Sequence, residues 1–324
     1  MRPALKSGLL PVWRDRDTLQ IGIDPRRAVA LSGMGQAAFV IGLLDGSRDR
    51  DQVIAAAAAR GIPAQTMERI LTLLAAGGAL DDFPASTIRE LPQALRAKLA
   101  PELATTSLAY RDGDGGARAL ARRRAAVVRI EGDRRVGRVA ARLLNAAGVG
   151  QVDFVRPPVD NRATPANQAL RSRIAPLIAP DLIVLAGRQP LERLAQLARA
   201  RIPHLSVTAG EAIGVVGPLV VPGQTACLLC LDYVRAGNDP AWPLILAQIG
   251  RKRPEPPACD SVLATAVAAQ AVAQALTAIE RGPMAAAAAN GTLELVLPDW
   301  TGGAGPGRAI RPAHVAVTPS GNRQ

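Results

Sequence analysis

Aromatic side chains are scarce in this chain of 324 residues: phenylalanine, tyrosine and tryptophan together make up 2% of it. Proteins that hold single-stranded nucleic acid usually stack the bases on aromatic rings, so this composition argues against such a partner. The formal net charge is +12, and arginine carries almost all of it, because lysine occurs only at positions 6, 98 and 252. The arginines are spread through segments of helical pattern, which is typical of a solvated surface. We therefore expect no nucleic-acid partner.

Cysteine and long apolar runs are also rare. Three cysteines are too few and too unevenly spaced for a disulfide framework. The chain has no run of eighteen apolar residues, so the sequence predicts no membrane span and no membrane partner. The first residues lead directly to the charged run 14–17 without the apolar stretch of a signal peptide. We therefore expect a cytoplasmic protein.

Residue patterns divide the chain into three parts. Residues 1–83 have strand patterns followed by three helical patterns, the order of a small winged-helix domain of the α+β class. Residues 84–122 are rich in proline, alanine and arginine, which predicts a linker that is helical around 93–100. In residues 123–324, buried-strand patterns alternate with amphipathic helices. This alternation predicts an α/β domain with a mostly parallel, Rossmann-like sheet.

Two runs in the first part carry a resemblance to a known family. They are Leu43-Leu44-Asp45-Gly46-Ser47-Arg48 and Leu73-Leu74-Ala75-Ala76-Gly77-Gly78-Ala79-Leu80. Both are similar to PqqD-type peptide-recognition domains, in which the third helix and an edge strand hold a leader peptide as an added strand. Other winged helices share these runs. A structural cap on the next domain and a DNA-binding winged helix therefore stay open as alternatives.

The most informative stretch lies in the last part of the chain. It reads Gly217-Pro218-Leu219-Val220-Val221-Pro222-Gly223-Gln224-Thr225-Ala226-Cys227-Leu228-Leu229-Cys230-Leu231-Asp232, and Asn238-Asp239-Pro240-Ala241-Trp242-Pro243 follows it. Together with Gly148-Val149-Gly150, these runs resemble the ThiF/MoeB superfamily, whose fold is that of ubiquitin-activating enzymes. They are most similar to azoline-cyclodehydratase partner proteins, the leader-binding proteins of thiazole/oxazole-modified peptides. Those proteins also have a PqqD-like domain before a ThiF-like one.

The resemblance implies two functions of different classes. The first is a leader-peptide-binding scaffold in ribosomal-peptide (bacteriocin) modification, where the ATP chemistry belongs to a separate YcaO-type enzyme. The second is an ATP-dependent adenylyltransferase of the ubiquitin-like-modifier-activating type, which acts on a carrier or peptide C-terminus. Because relatives of this kind commonly dimerise, the resemblance also implies a homodimer.

The loop after the first strand of the predicted sheet tests the second function. It reads Gly132-Asp133-Arg134-Arg135-Val136-Gly137. Compared with the pattern G-x-G-x-x-G, Gly132 and Gly137 match, but Arg134 replaces the middle glycine, at which bare backbone approaches the phosphates. Asp133 adds repulsion between like charges. The loop therefore predicts a degenerate nucleotide site.

Further positions depart from the ATP-binding pattern that the resemblance implies. Arg156 stands where an acid should hold the ribose, and the third strand leads to Arg188 instead of a carboxylate for magnesium. Arg162 matches the arginine of the family's Asn/Arg pair, but Arg171 or Arg173 would have to replace the missing lysine. We therefore predict no catalytic residue and expect no ATP as cofactor. A site remodelled for another anion stays open.

Cys227 and Cys230 form a Cys-x-x-Cys pair, which is half of the ligand set of a tetrahedral zinc site. The resemblance implies a second such pair near the C-terminus, but residues 311–317 contain no cysteine. Cys259 or His314 would have to complete the site, although no spacing requires either of them. Zinc and a metal-free pair are both open.

Overall fold

The computed structural model describes residues 1–35, 37–82, 86–155, 179–249 and 258–300. The chain forms two compact units, Met1–Ala121 and Arg122–Gln324. Each unit has its own large cluster of buried apolar side chains. The second unit begins at Arg122, beside the start at residue 123 that the sequence predicts for the α/β domain.

The first unit contains two small antiparallel sheets. Its strands are β1 Pro3–Leu5, β2 Pro11–Trp13, β3 Leu19–Ile21, β4 Val29–Leu31 and β5 Leu80–Asp82. Strands β2, β3 and β4 pair in that order, and β1 pairs with β5. Its helices are the 3₁₀ helix Ala38–Leu43, α1 Arg50–Ala58, α2 Ala64–Ala76, α3 Ser86–Arg89, α4 Gln93–Tyr110 and α5 Ala117–Ala125, within which the boundary between the units falls.

Helix α2 packs one apolar face into the core of the first unit. Met67, Ile70, Leu71 and Leu74 recur at helical spacing and are all buried. They share the core with apolar residues of β3 such as Ile21. The three helical patterns predicted for this part are confirmed, although the first is a 3₁₀ helix.

The segment 84–122 is more helical than its composition predicts, because α4 continues to Tyr110. A buried network joins this helix to the strands. Lys6 Nζ lies 2.8 Å from Asp81 Oδ1 and donates to Ser107 Oγ of α4 over 2.6 Å, while Ser107 Oγ donates to Asp81 Oδ2 over 2.7 Å. Breaking a buried ion pair of this kind costs about 3–5 kcal/mol. The described part of the segment therefore belongs to the first unit and is not a separate linker.

The second unit contains a six-stranded, mostly parallel sheet, as predicted. Its strands are β6 Val127–Gly132, β7 Gln151–Val155, β8 Leu182–Ala186, β9 His204–Gly210, β10 Ile213–Val220 and β11 Leu293–Val296, in the order β11-β10-β9-β8-β6-β7. Strands β6 to β9 are parallel, whereas β10 is antiparallel to β9 and β11. Strand β10 therefore pairs on both of its edges.

The second unit also contains five α-helices in its described residues. They are α6 Arg134–Ala146, α7 Leu191–Arg199, α8 Leu228–Asn238, α9 Trp242–Ile249 and α10 Ser261–Arg281, followed by the 3₁₀ helices Pro283–Ala285 and Ala287–Asn290. The chain goes from β6 to its neighbour β7 on one side and returns to β8 on the other side. Ligands of such sheets bind where the strand order reverses, so the expected crevice lies at the carboxyl ends of β6 and β8.

Helix α10 is the one helix of the described ranges that is long and apolar enough to cross a membrane. Its buried residues include Val267, Ala271 and Ala275, which recur every four positions, and it packs against α6, β9 and β10. Half of its apolar window is buried. Its apolar composition is therefore explained by the core of the second unit.

Candidate functional site

Gly132 ends β6 and lies opposite Ala186, the last residue of the neighbouring strand β8. Its φ is +115°, and a Cβ built on it would lie 1.9 Å from the carbonyl oxygen of Ala186. The adjacent Asp133 N–H donates to that same oxygen over 2.7 Å. Only glycine adopts this conformation at so close an approach. Gly132 is therefore required by the close approach of these two strand ends.

Gly137 allows α6 to lie close to the sheet. A Cβ built on Gly137 would lie 2.5 Å from Phe154 Cε2 of β7 and 3.3 Å from Ile130 Cγ2 of β6. In Rossmann folds the last glycine of the pattern serves this close packing of helix on strand. Both predicted glycines thus have packing roles, so their match to the pattern is explained by the fold without a nucleotide.

Asp133 caps the N-terminus of α6. Its Oδ1 accepts hydrogen bonds from the backbone N–H groups of Arg135, over 2.6 Å, and Val136, over 3.4 Å. These N–H groups and the positive end of the helix dipole are what a phosphate contacts in a nucleotide-binding fold. At this helix, a carboxylate of the protein itself accepts the hydrogen bonds that a phosphate would take.

The arginines that follow Asp133 differ in their contacts. Arg134, at the position of the missing glycine, begins α6 and is exposed. Arg135 donates from Nη1 to the carbonyl oxygen of Cys259 over 2.9 Å. This bond ties the loop to the segment before α10, whose N-terminus is capped by Asp260.

On the other side of the crevice, Arg188 follows β8. Its Nη1 lies 3.9 Å from Asp232 Oδ2 of α8. Asp232 Oδ1 also accepts from Trp242 Nε1 over 3.2 Å and from Arg235 Nη1 over 3.3 Å. The guanidinium carbons of Arg188 and Arg235 lie 5.9 and 5.2 Å from the Trp242 ring centroid. Where a magnesium-binding carboxylate is expected, the chain has an arginine that is paired with a carboxylate.

The sequence did not indicate this cluster of Arg188, Asp232, Arg235 and Trp242. Trp242 reads as an ordinary packing residue, and Asp232 is remote in sequence from Arg188. Their meeting depends on how α8 and α9 lie beside the loop after β8. No local pattern reports such a contact.

The thiols of Cys227 and Cys230 lie close together, with 3.1 Å between their sulfur atoms. Cys227 is the N-cap of α8 and accepts the Cys230 N–H over 3.4 Å. Burial raises the pKa of the Cys227 thiol, whereas the hydrogen bond from Cys227 lowers the pKa of Cys230. The pair is thus positioned to share a proton, or to bind one metal ion.

The pair supplies half of a tetrahedral thiolate site. Across the described ranges, no three His, Cys, Asp or Glu side chains gather as metal ligands. Cys259 is buried in the core of the second unit, and burial raises the pKa of its thiol. The other predicted residues, Arg162 and His314, lie outside the described residues. Within the described part of this chain, the donors therefore do not fit a complete zinc site.

A different candidate surface lies in the first unit, where α2 meets β4. Strand β4 is at an edge of its three-stranded sheet. A Cβ on Gly77, at the end of α2, would lie 2.3 Å from Val29 Cγ2, so the helix end touches this strand. One turn earlier, Leu73 is 49% exposed. We call Val29–Leu31, Leu73 and Gly77 the β4–α2 edge. A cavity of about 410 Å³ lies on another face of α2, beside Thr72 and Ala76.

Solved structures with this architecture provide the comparison. E. coli MccB with AMPCPP and selenomethionine MccA aligns with a TM-score of 0.61 at 14% identity, over 93% of this chain and 94% of that chain. The heterocyclase TruD gives 0.59 at 16% identity, over 93% and 40%. A heterocyclase in complex with substrate and cofactor gives 0.57 at 17% identity, over 90% and 36%. The chain shares their fold.

The likeness has two limits. The chain spans less than half of either heterocyclase chain. No protein-family model and no curated protein sequence matches the chain. Identities of 14–17% establish a common fold, and the residues at each site must decide the function.

Proposed function

We propose that this protein is a ThiF-type scaffold that binds a leader peptide through a PqqD-like first unit during the modification of a ribosomal peptide. In this role the ATP chemistry belongs to a separate enzyme, of the YcaO type in the systems that the sequence resembles. The observation that carries the proposal is the Asp133 carboxylate at the N-terminus of α6. The fold supports a role in peptide modification, since the microcin C7 biosynthetic enzyme MccB, solved in complex with N-formylated MccA, has the same architecture.

The electrostatics of the crevice favour a scaffold over an adenylating enzyme. A triphosphate at α6 would have to displace the Asp133 carboxylate from two N–H groups and then lie beside it. On the opposite loop, a magnesium ion would meet Arg188 instead of a carboxylate. At both positions the protein lacks a favourable contact that ATP or magnesium needs and adds repulsion between like charges. Both sides of the crevice therefore weaken the binding of MgATP.

The peptide is proposed to bind at the β4–α2 edge. An extended segment added to β4 would gain main-chain hydrogen bonds, and α2 would offer Leu73 to one of its apolar side chains. An exposed leucine beside an edge strand is otherwise an aggregation hazard. Coverage by a peptide removes both the open strand edge and the exposed apolar surface.

An active adenylyltransferase is the second candidate, because MccB has also been crystallised with ATP. Calorimetry with MgATP and pyrophosphate exchange on the full chain separate the two functions. The scaffold proposal expects no ATP binding below millimolar concentration and no exchange. Micromolar binding together with exchange would establish the enzyme instead.

Peptide binding is tested by fluorescence anisotropy with labelled leader segments of candidate precursor peptides. We expect Leu73→Glu to weaken binding at least tenfold, because it places a charge in the apolar contact. Thr72→Glu is the matched control: it is also exposed on α2, but faces the cavity. If Thr72→Glu abolishes binding and Leu73→Glu does not, the peptide occupies the cavity and the proposed edge is wrong.

A further inference from the structure

Helix α8 presents its side chains to solvent although its sequence is largely apolar. It has no buried residue. Its large exposed apolar side chains are Leu229, Tyr233 and Val234, and Tyr233 is the most exposed of them, at 84%. Cys230 of the same helix is exposed as well, and Cys227 at the N-cap is partly exposed. A reagent in solution can therefore reach the thiol pair.

The geometry of the pair is close to that of a disulfide. The sulfur atoms of Cys227 and Cys230 lie 3.1 Å apart, and a disulfide bond joins two sulfurs at about 2.05 Å. Because the two residues lie three positions apart at the start of a helix, their side chains are on the same side of it. The Cys230 N–H donates to Cys227 Sγ over 3.4 Å and holds this arrangement. Rotation of the two side chains is enough to bring the sulfurs together.

The two thiols differ in their access to solvent. Cys230 is exposed, whereas Cys227 is partly covered, so an external disulfide meets Cys230 first. The first turn of a helix favours the thiolate, which is the form that attacks a disulfide. Cys227 is then the nearest nucleophile to any bond formed on Cys230. The pair therefore has an attacking thiol and a resolving thiol.

Nothing in the described part of the chain competes for these two thiols. The chain has three cysteines, and the third, Cys259, is buried in the core of the second unit. The described ranges contain no group of three His, Cys, Asp or Glu side chains that could bind a metal ion. A Cys-x-x-Cys pair at a helix N-terminus is the arrangement with which dithiol oxidoreductases exchange electrons. This chemistry needs the two sulfurs alone.

We propose that Cys227 and Cys230 form a redox-active dithiol that reduces a disulfide partner. The Cys230 thiolate attacks one sulfur of the partner, which forms a mixed disulfide and releases one partner thiolate. Cys227 then loses its proton to solvent and attacks Cys230 Sγ, which releases the second partner thiolate. Both released thiolates take up protons from solvent. Two electrons pass from the protein to the partner, and this activity is independent of peptide binding at the β4–α2 edge.

The proposal is tested on the full chain with oxidised and reduced glutathione as the probe. The protein is first treated with a chelator, then equilibrated at several ratios of the two forms, quenched with acid and alkylated under denaturing conditions. We expect mass spectrometry to show that Cys227 and Cys230 lose and regain their alkylation sites together as the ratio changes. Cys259 should stay reduced throughout, and Cys259→Ser should leave the equilibrium of the pair unchanged.

Single variants test the order of attack. Cys227→Ser should stop the reaction at a mixed disulfide between Cys230 and glutathione, because no resolving thiol remains. Cys230→Ser leaves only the less accessible thiol and should react with oxidised glutathione at least tenfold more slowly. Neither residue is buried, so both variants keep the core of the second unit intact.

Several outcomes would overturn the proposal. Thiols that stay reduced in excess oxidised glutathione would show that the pair is not redox-active, and so would a disulfide that reduced glutathione cannot open. A disulfide that includes Cys259 would show a different pairing. Equal rates in the two single variants would refute the division into attacking and resolving thiols. A metal ion that is retained through the chelator treatment and blocks oxidation would make the pair a metal site instead.

Discussion

The crevice at the ends of β6 and β8 and the β4–α2 edge are both candidate binding regions, but they differ in what fills them. In the crevice, the N–H groups of α6 are bonded to Asp133, and Arg188 is paired with Asp232. At the edge, β4 pairs with β3 alone among the described strands, and Leu73 is exposed. In the crevice, side chains of the protein itself satisfy the hydrogen-bond donors and the charges. At the β4–α2 edge, a ligand would have to pair with the strand and cover the leucine.

This difference indicates that residues of the crevice stabilise the fold, whereas residues of the β4–α2 edge are available to bind a ligand. The crevice keeps the glycines that hold the Rossmann fold together and lacks the one that a phosphate needs. Substitutions in the crevice should therefore change stability and leave peptide binding intact. Substitutions at the edge should do the reverse, as Leu73→Glu tests.

Gly132→Ala should have the largest effect on stability. Its Cβ would lie 1.9 Å from the Ala186 oxygen, and its φ of +115° is strained for any L residue. We expect a loss of more than about 3 kcal/mol, or failure to fold, measured by urea denaturation.

Gly187→Ala is the matched control on the facing loop. Gly187 also has a positive φ, +93°, but its Cβ would have no neighbour within 4 Å. Only the strain of the left-handed conformation remains, about 1–2 kcal/mol. Equal losses in the two variants would show that the close approach of Gly132 to Ala186 does not matter.

Gly137→Ala should have an intermediate effect. Its Cβ would press on the Phe154 ring, and overpacking of this kind costs about 1–3 kcal/mol. Because the neighbour is a side chain, Phe154→Leu should relieve most of the loss. A double-mutant cycle by urea denaturation measures this coupling, and strict additivity would contradict direct packing of Gly137 on Phe154.

Asp133→Ala should cost about 1 kcal/mol, because it removes the cap of α6. Asp133→Asn keeps an acceptor and should cost less, measured in the same way. Calorimetry with MgATP on the alanine variant then measures whether the crevice binds ATP once the carboxylate is removed. Micromolar affinity there would make the crevice a nucleotide site that Asp133 alone closes.

The sequence predicted the sheet and the glycines that form the crevice better than the side-chain contacts within it. Alternating strand and helix patterns give the parallel sheet, and the positions of Gly132 and Gly137 follow from the loop pattern. The contact of Asp232 with Arg188 and the network of Lys6 and Ser107 were not predictable. Both join residues that are far apart in sequence, and local periodicity carries no information on such pairs. The exposure of α8 has the same origin, since an apolar helix is ordinarily expected to be buried.

The smallest expected effect is a dependence on pH that acts on the second unit alone. The chain has two histidines, at positions 204 and 314, and neither lies in the first unit. His204 begins β9 and is 2% exposed, with Nδ1 3.0 Å from the Ile202 oxygen. Burial lowers its pKa below the ordinary 6.5. The unfolded chain therefore binds the proton first, and stability falls as the pH decreases from about 7 through the lowered pKa.

Hydrogen exchange of the full chain at pH 7 and pH 5, corrected for intrinsic rates, measures this effect separately in each unit. We expect the strands beside His204 to lose protection at the lower pH, whereas the β4–α2 edge keeps its protection against this cause. His204→Gln removes the titrating group and retains an N–H donor, so the loss in β8 and β9 should disappear. If both units lose protection equally in the variant, the titration lies elsewhere, and the sheet that holds the crevice is no more sensitive to acid than the β4–α2 edge.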